Sequence, residues 1–342
     1  MQGIIRKVNK INITVDYRTE LLGVIMLISE YHNKYAHLFL NYDNNKFYVD
    51  MIIKHFVKYK NEEVIKIFDE IVKKHSFNYD APFCLFLQLN NQFNTVELDD
   101  YTFKNRLQSD NNIYYFISKL DDFSKKINFE DFYNNNKKFY QSWIDNISGA
   151  FEKYDISNFF KNYYGYLNEK EFVINLTAFT TNGAYCCNLK DRIVCCFPVF
   201  EEMKKDKLYD SSSKEKYILQ TPIHEFSHGY VNPITDKYDI LNQTTNLFVD
   251  IKENMKKQAY PYDTHIINEH IVRGIEARYI YLIYKDKNWY KKRIREEKEI
   301  GFKYIDSIIK SLIYYENNRS IYKTFDKYYP LIIENIIIDR NN

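Results

Sequence analysis

The stretch Thr221-Pro222-Ile223-His224-Glu225-Phe226-Ser227-His228-Gly229-Tyr230-Val231-Asn232-Pro233 constrains this chain more than any other. Thr221 suits an N-cap, Pro222 the first helical position and Asn232-Pro233 a stop, so a short helix is expected between them. On a helix, His224 and His228 stand at i and i+4 on one face, about one turn apart, where both imidazoles reach a single Zn²⁺. Glu225 points beside that face, where its carboxylate meets water rather than metal; a general base belongs there. With 8 His and 46 acidic residues in 342 positions, H-[DE]-x-x-H arises by accident roughly 0.03 times. The bland alternative is an amphipathic helix whose histidines are merely packed or solvated.

The surroundings set the fold class. Residues 18–166 carry apolar positions at three- and four-residue spacing, clearest in 21–29, 47–59, 62–74 and 113–123, which predicts a helical bundle. At 171–179 the texture changes to Phe172-Val173-Ile174-Asn175-Leu176-Thr177-Ala178-Phe179, followed by two short candidates at 184–188 and 192–197. A small antiparallel sheet is expected there, and helices beyond Pro198. The chain therefore reads as α+β, mostly α. A helical region over residues 1–165 would precede a zincin-like metallopeptidase domain over 166–342.

Several classes are excluded. Lys+Arg at 48 against Asp+Glu at 46 leaves a formal charge of +2, far from what phosphate-backbone binding requires, so nucleic acid is not expected as a partner. No stretch reaches the roughly 18 apolar residues of a membrane span. Residues 1–16 alternate apolar and polar positions with no apolar signal segment, so the chain as given is expected in the cytoplasm, with export only if its start has been trimmed. The 5 cysteines are Cys84 and the vicinal pairs Cys186-Cys187 and Cys195-Cys196. Neighbours on a strand point to opposite faces, so a four-thiol zinc site is not expected. Buried free thiols are, with a cross-strand disulfide as the alternative.

For the third metal ligand, Glu269 and Glu276 share one stripe with Arg273 on an expected helix over 265–280, about 10 Å apart, so one metal takes only one of them. Glu253 sits in a polar stretch that suits solvent. The extension H-E-x-x-H-x-x-G-x-x-H is absent, since Val231 and Ile234 occupy its later positions.

The H-E-F-S-H-x-x-x-N-P block, the strands upstream and Asn268-Glu269 downstream resemble the gluzincin branch of zinc metallopeptidases, particularly bacterial domain-of-unknown-function proteins of that clan. The segment Asp16-Tyr17-Arg18-Thr19-Glu20-Leu21-Leu22 extends the resemblance weakly. It implies His224, His228 and Glu269 as Zn²⁺ ligands, Glu225 as catalytic base and an edge strand at Asn182-Gly183-Ala184-Tyr185 for substrate backbone. Thermolysin-like members carry Asp where this chain has Arg273. An oxyanion donor is sought among Tyr185, Tyr260, Tyr262, His270 and Arg273, of which Tyr185 and Arg273 are put forward as catalytic. Partners for the second imidazole nitrogens are sought among Asp236, Asp239, Asp250 and Glu276. The expected activity is zinc-dependent hydrolysis of a peptide or protein. The rival is a non-catalytic helical binding protein with a structural or vestigial metal site.

Overall fold

The computed structural model describes all residues except 1–2, 41, 76, 96, 167, 182, 200–210, 239–246 and 342. Two compact units emerge: Met1–Glu152 with Lys170–Tyr209, and Lys153–Glu169 with Asp210–Asn342. The division is not a single cut near residue 165, because the strands that follow that point belong with the N-terminal helices.

The first unit begins with strands β1 (Ile4–Val8) and β2 (Ile11–Val15), continues through helices α1 (Tyr17–Ile28), α2 (Glu30–Phe39), α3 (Tyr42–Phe56), α4 (Glu63–Lys74), α5 (Ala81–Gln88), α6 (Asn112–Lys126), α7 (Phe129–Asn135) and α8 (Lys137–Lys153), and returns to strands β3 (Glu171–Thr177), β4 (Tyr185–Asn188) and β5 (Arg192–Pro198). Its sheet has the order β1-β2-β3-β5-β4 and is mixed, not antiparallel as expected from the sequence. β2 pairs β3 in parallel, β3 pairs β5 in parallel, and only the β1–β2 and β4–β5 pairs are antiparallel. The physical reason lies in the strands themselves. Residues 172–177 and 193–198 are buried without alternation, as in strands covered on both faces, and parallel strands are of that kind.

Asp16 starts α1 by accepting a hydrogen bond from the Arg18 backbone N–H at 2.8 Å. From Tyr17 to Ile28 that helix is buried at every position but one, and it takes Glu20 fully into the core. There Tyr48 donates to one Glu20 oxygen, while the other, Oε1, is buried with no hydrogen-bond partner.

The second unit consists of α9 (Ile156–Tyr164), α10 (Ser211–Lys237), α11 (Lys252–Lys257), α12 (Asp263–Tyr284), α13 (Lys287–Ile300), α14 (Ile305–Asn317) and α15 (Phe325–Asn341). α10 and α12 make its most extensive helix pair, and α12 is buried on nearly all sides. Gly274 permits the close approach of α14 to α12, since a Cβ there would lie 2.6 Å from the Ile308 side chain. No described helix is long and apolar enough to cross a membrane.

α10 departs from its expected length at both ends. It runs straight through Pro222 and Pro233. Thr221 is not an N-cap; its hydroxyl donates back to the Tyr217 carbonyl at 3.2 Å, as mid-helix threonines do. Pro233 has no N–H for the Gly229 carbonyl, but the Asn168 side-chain amide supplies the missing donor at 3.3 Å. That outside donor is why the second proline does not stop the helix. Stacking of Tyr164 on Tyr230, with centroids 4.1 Å apart, fixes α9 to the same turn.

Candidate metal centre

The i, i+4 spacing on α10 brings the two imidazoles together, with the Nε2 atoms of His224 and His228 3.4 Å apart. Glu269 on α12 meets both: one carboxylate oxygen lies 3.6 Å from His224 Nε2 and the other 3.3 Å from His228 Nε2. Among the described residues this is the one group of three or more His, Cys, Asp or Glu side chains close enough to share a metal ion.

Each imidazole is held by its far nitrogen. His224 Nδ1 donates to Glu276 Oε2 at 3.0 Å, and His228 Nδ1 donates to Asn232 Oδ1 at 3.2 Å. An acceptor at Nδ1 holds the proton on that nitrogen whenever an imidazole is neutral, which leaves Nε2, the nitrogen facing Glu269, as the one able to bind a metal. Glu269 and Glu276, alternatives in the sequence, are thus separated by role. One touches the inner nitrogens and the other an outer one.

Behind the carboxylates stands a closed chain of opposite charges. Arg273 donates to Glu269 Oε2 at 3.2 Å and to both Glu297 oxygens at 3.1 and 3.0 Å. From α13, Arg293 reaches Glu276 at 3.0 Å and also pairs with Glu297. The guanidinium of Arg273 lies over the Phe302 ring, 4.3 Å from its centroid. Three carboxylates against two guanidiniums leave one net negative charge in this ring.

Electrostatics follow from these partners. Burial by itself would raise the Glu269 carboxyl, but the His228 hydrogen bond and the charges of His224, His228 and Arg273 hold it well below the usual carboxylate range. Burial opposes the charged form of His228, yet Glu269 outweighs it and pushes that imidazole up to about 8. A metal ion entering here must displace that proton. Glu225 is buried and its carboxyl is raised, first by desolvation. Among the described residues no hydrogen bond engages it.

The family model described as Domain of unknown function (DUF4932) matches residues 11–335. The chain belongs to that family. No curated protein and no solved structure matches it. The DUF4932 match spans every residue of the cluster and of the ring behind it.

The other candidates sort by position. Tyr260 is turned to the cluster, since Arg273 donates to its hydroxyl at 3.4 Å, and its phenol is raised by burial and by the charge of Glu269. Its placement comes from the end of α11, where Ala259 adopts φ 68° and the Tyr260 and Ala259 N–H groups bond the Met255 and Lys256 carbonyls at 2.9 and 3.1 Å. This is a Schellman ending with alanine at the place glycine favours. Tyr262 is exposed. His270 donates its Nδ1–H to the Ile266 carbonyl at 2.8 Å, stacks on Phe248, and is pushed down to about 4 by burial. Arg273 commits its guanidinium to Glu269, Glu297 and Tyr260. Tyr185 lies in the first unit on β4, its ring against Tyr79 and Phe83, and it takes no part in building the cluster. Asn182 and Asp239 fall outside the described residues. Asp236 and Glu253 are exposed, and Asp250 is engaged by Lys303 and Tyr304. Sequence reasoning missed Asn232, Arg293 and Glu297. Asn232 sits four residues after His228 on the same face, a signal that was readable. Arg293 and Glu297 lie in a helix dense in charge, whose sequence does not distinguish the members of the ring from side chains that face solvent.

Proposed function

We propose that the chain is a zinc-dependent peptide-bond hydrolase in which His224, His228 and Glu269 hold the metal and Glu225 is the general base. The observation that carries this reading is the convergence of the three side chains: the two Nε2 atoms lie 3.4 Å apart, the two Glu269 oxygens lie 3.6 and 3.3 Å from them in turn, and one ligand atom of each residue falls within 4.8 Å of the others. Bonds of about 2.0–2.1 Å in a tetrahedron place ligand atoms about 3.3–3.4 Å apart, close to these pairwise separations, which supports a shared ion. Charge agrees: the ring's single net negative charge plus Glu225 makes two, which a divalent cation balances. A structural zinc site fills four positions with protein ligands, whereas three lie together among the described residues.

When bound, zinc supplies Lewis acidity, lowering the pKa of a water towards about 7 and polarising a carbonyl. Glu225, buried and without a competing partner, accepts the proton of the attacking water and hands it to the leaving amine. Glu276 and Asn232 keep both imidazoles aimed. Tyr260, rather than Tyr185 or the fully committed Arg273, donates to the developing oxyanion. The substrate is a peptide or protein, in keeping with a chain of nearly balanced charge, and the odd cysteine count favours a reducing compartment such as the cytoplasm.

Elemental analysis is expected to find about one zinc per chain. Glu225→Gln should keep that zinc and the fold while cleavage of a broad peptide library falls by at least about 100-fold. A chain that takes up no zinc on reconstitution, or a Glu225→Gln variant that cleaves as well as the parent, overturns the reading.

A further inference from the structure

The cysteines of the first unit are arranged in a way the metal site does not use. β4 and β5 pair with Tyr185 opposite Cys196, Cys186 opposite Cys195 and Cys187 opposite Val194. Side chains alternate along a strand, so Tyr185, Cys187, Val194 and Cys196 share one face of the sheet, and Cys186 and Cys195 share the other. α5 covers the first of these faces, where Phe83 packs on Tyr185. The next residue of that helix, Cys84, places its Sγ 2.9 Å from Cys187 Sγ. Non-bonded carbons settle at about 3.5–4.0 Å, and sulfur is larger, so these two sulfurs are closer than packing alone would hold them.

We propose that Cys84 and Cys187 are a modification site: a dithiol that a low-molecular-weight disulfide, such as oxidised glutathione, converts to a disulfide joining α5 to the sheet-edge strand β4. In the exchange, one protein sulfur attacks the glutathione disulfide and releases one glutathione, and the second protein sulfur then displaces the other. One protein S–S bond forms and one glutathione S–S bond breaks. The two protein thiols are oxidised by two electrons, and both glutathiones leave as thiols carrying the two protons.

The other three thiols have other surroundings. Cys186 and Cys195 lie on the opposite face. Cys196, on the same face, is met by the Asn175 side-chain amide at 3.9 Å and also interacts with Cys187. Cys187 faces Cys84 directly, and both are buried. Burial also governs the rate: it raises the Cys187 thiol, and Cys84 is pushed up to about 11, so few thiolates exist at neutral pH and oxidation of the folded chain is slow. In a reducing compartment the pair stays as thiols. Once formed, the bond is shielded by the same burial, so it acts as a staple rather than a fast switch. The closed loop covers about a hundred residues, a length at which cross-linking restricts the unfolded chain strongly.

The test uses the full chain, fully reduced, then held with oxidised glutathione at pH 8.5 both as the folded protein over days and during refolding from denaturant. Remaining thiols are alkylated and tryptic peptides are mapped without reduction. Trypsin cuts at Lys190 and Arg192, between the two vicinal pairs, and fragment spectra separate Cys186 from Cys187. The expected result is one cross-link, Cys84 to Cys187, three alkylated cysteines and a melting temperature higher by roughly 10 °C than that of the reduced chain. Cys187→Ser should abolish cross-link and shift, while Cys186→Ser leaves both. Five alkylated cysteines by both routes, or a bond between Cys186 and Cys195 or between Cys187 and Cys196, overturns the proposal. The mapping is made on the parent chain, so a variant that fails to fold does not remove the test.

Discussion

Each unit of this molecule buries glutamates, and it treats them in opposite ways. Glu20 of the first unit is fully buried with no cation against it; desolvation pushes its carboxyl up to about 8, so it is largely protonated at neutral pH. Glu269 and Glu276 of the second unit are as deeply desolvated, yet both are lowered, because His224, His228, Arg273 and Arg293 stand against them. The same side chain at the same depth is an acid in one core and an ion in the other. Burial does not decide the charge; the partners do.

The largest expected effect comes from removing a partner in the second unit. Arg293→Met leaves Glu276 and Glu297 short of a cation they share, and should destabilise the metal-free chain by about 3–5 kcal/mol in urea unfolding. A loss below about 1 kcal/mol would mean that water or proton uptake replaces the guanidinium easily, and the contrast between the two cores would collapse.

The next effect reads the contrast as pH dependence. For Glu20 the folded pKa lies above the unfolded value of 4.5, so the folded state binds more protons between 4.5 and about 8 and stability falls as pH rises through that window. Glu276 has the reverse sign: its folded pKa is depressed, so its contribution is present above the unfolded value and is lost as pH falls through the folded one. Glu20→Gln should remove a slope of up to about 1.4 kcal/mol per pH unit from the unfolding free energy between pH 5 and 8. Parallel curves for parent and variant across that range would show that Glu20 does not titrate as a lone buried acid.

A smaller effect sharpens the same point. Tyr48 donates to Glu20 and shares a 2.8 Å hydrogen bond with Tyr140. Tyr48→Phe should cost about 1–2 kcal/mol and move the Glu20 window to still higher pH. A midpoint that moves to lower pH in the variant would contradict that role.

These features differ in how far the sequence announces them. His224, Glu225 and His228 are legible because three side chains on one helix obey a local period, and Glu269 because its helix is apolar enough to make any charge on it conspicuous. The parallel core of the sheet was not legible: an unbroken apolar run at 172–177 says that both faces are covered but not which strand lies alongside. Nor was the joining of β1 and β2 to β3 across some 150 residues of intervening helix. Pro222 and Pro233 misled for a plain reason. Each removes a donor, and the sequence around a proline does not reveal that Asn168, more than sixty residues upstream, supplies a replacement.

That pair of prolines also alters how α10 comes apart. A helix ordinarily frays inward from its ends, each broken bond loosening the next. In α10 the ladder is already interrupted at Pro222 and again at Pro233, so fraying from either end meets a break before it reaches residues 223–232. The segment bearing both imidazoles is therefore an island in amide exchange. Its protection is set by its packing on α12 rather than by the turns that flank it, and a ligand gripping His224 and His228 registers there first.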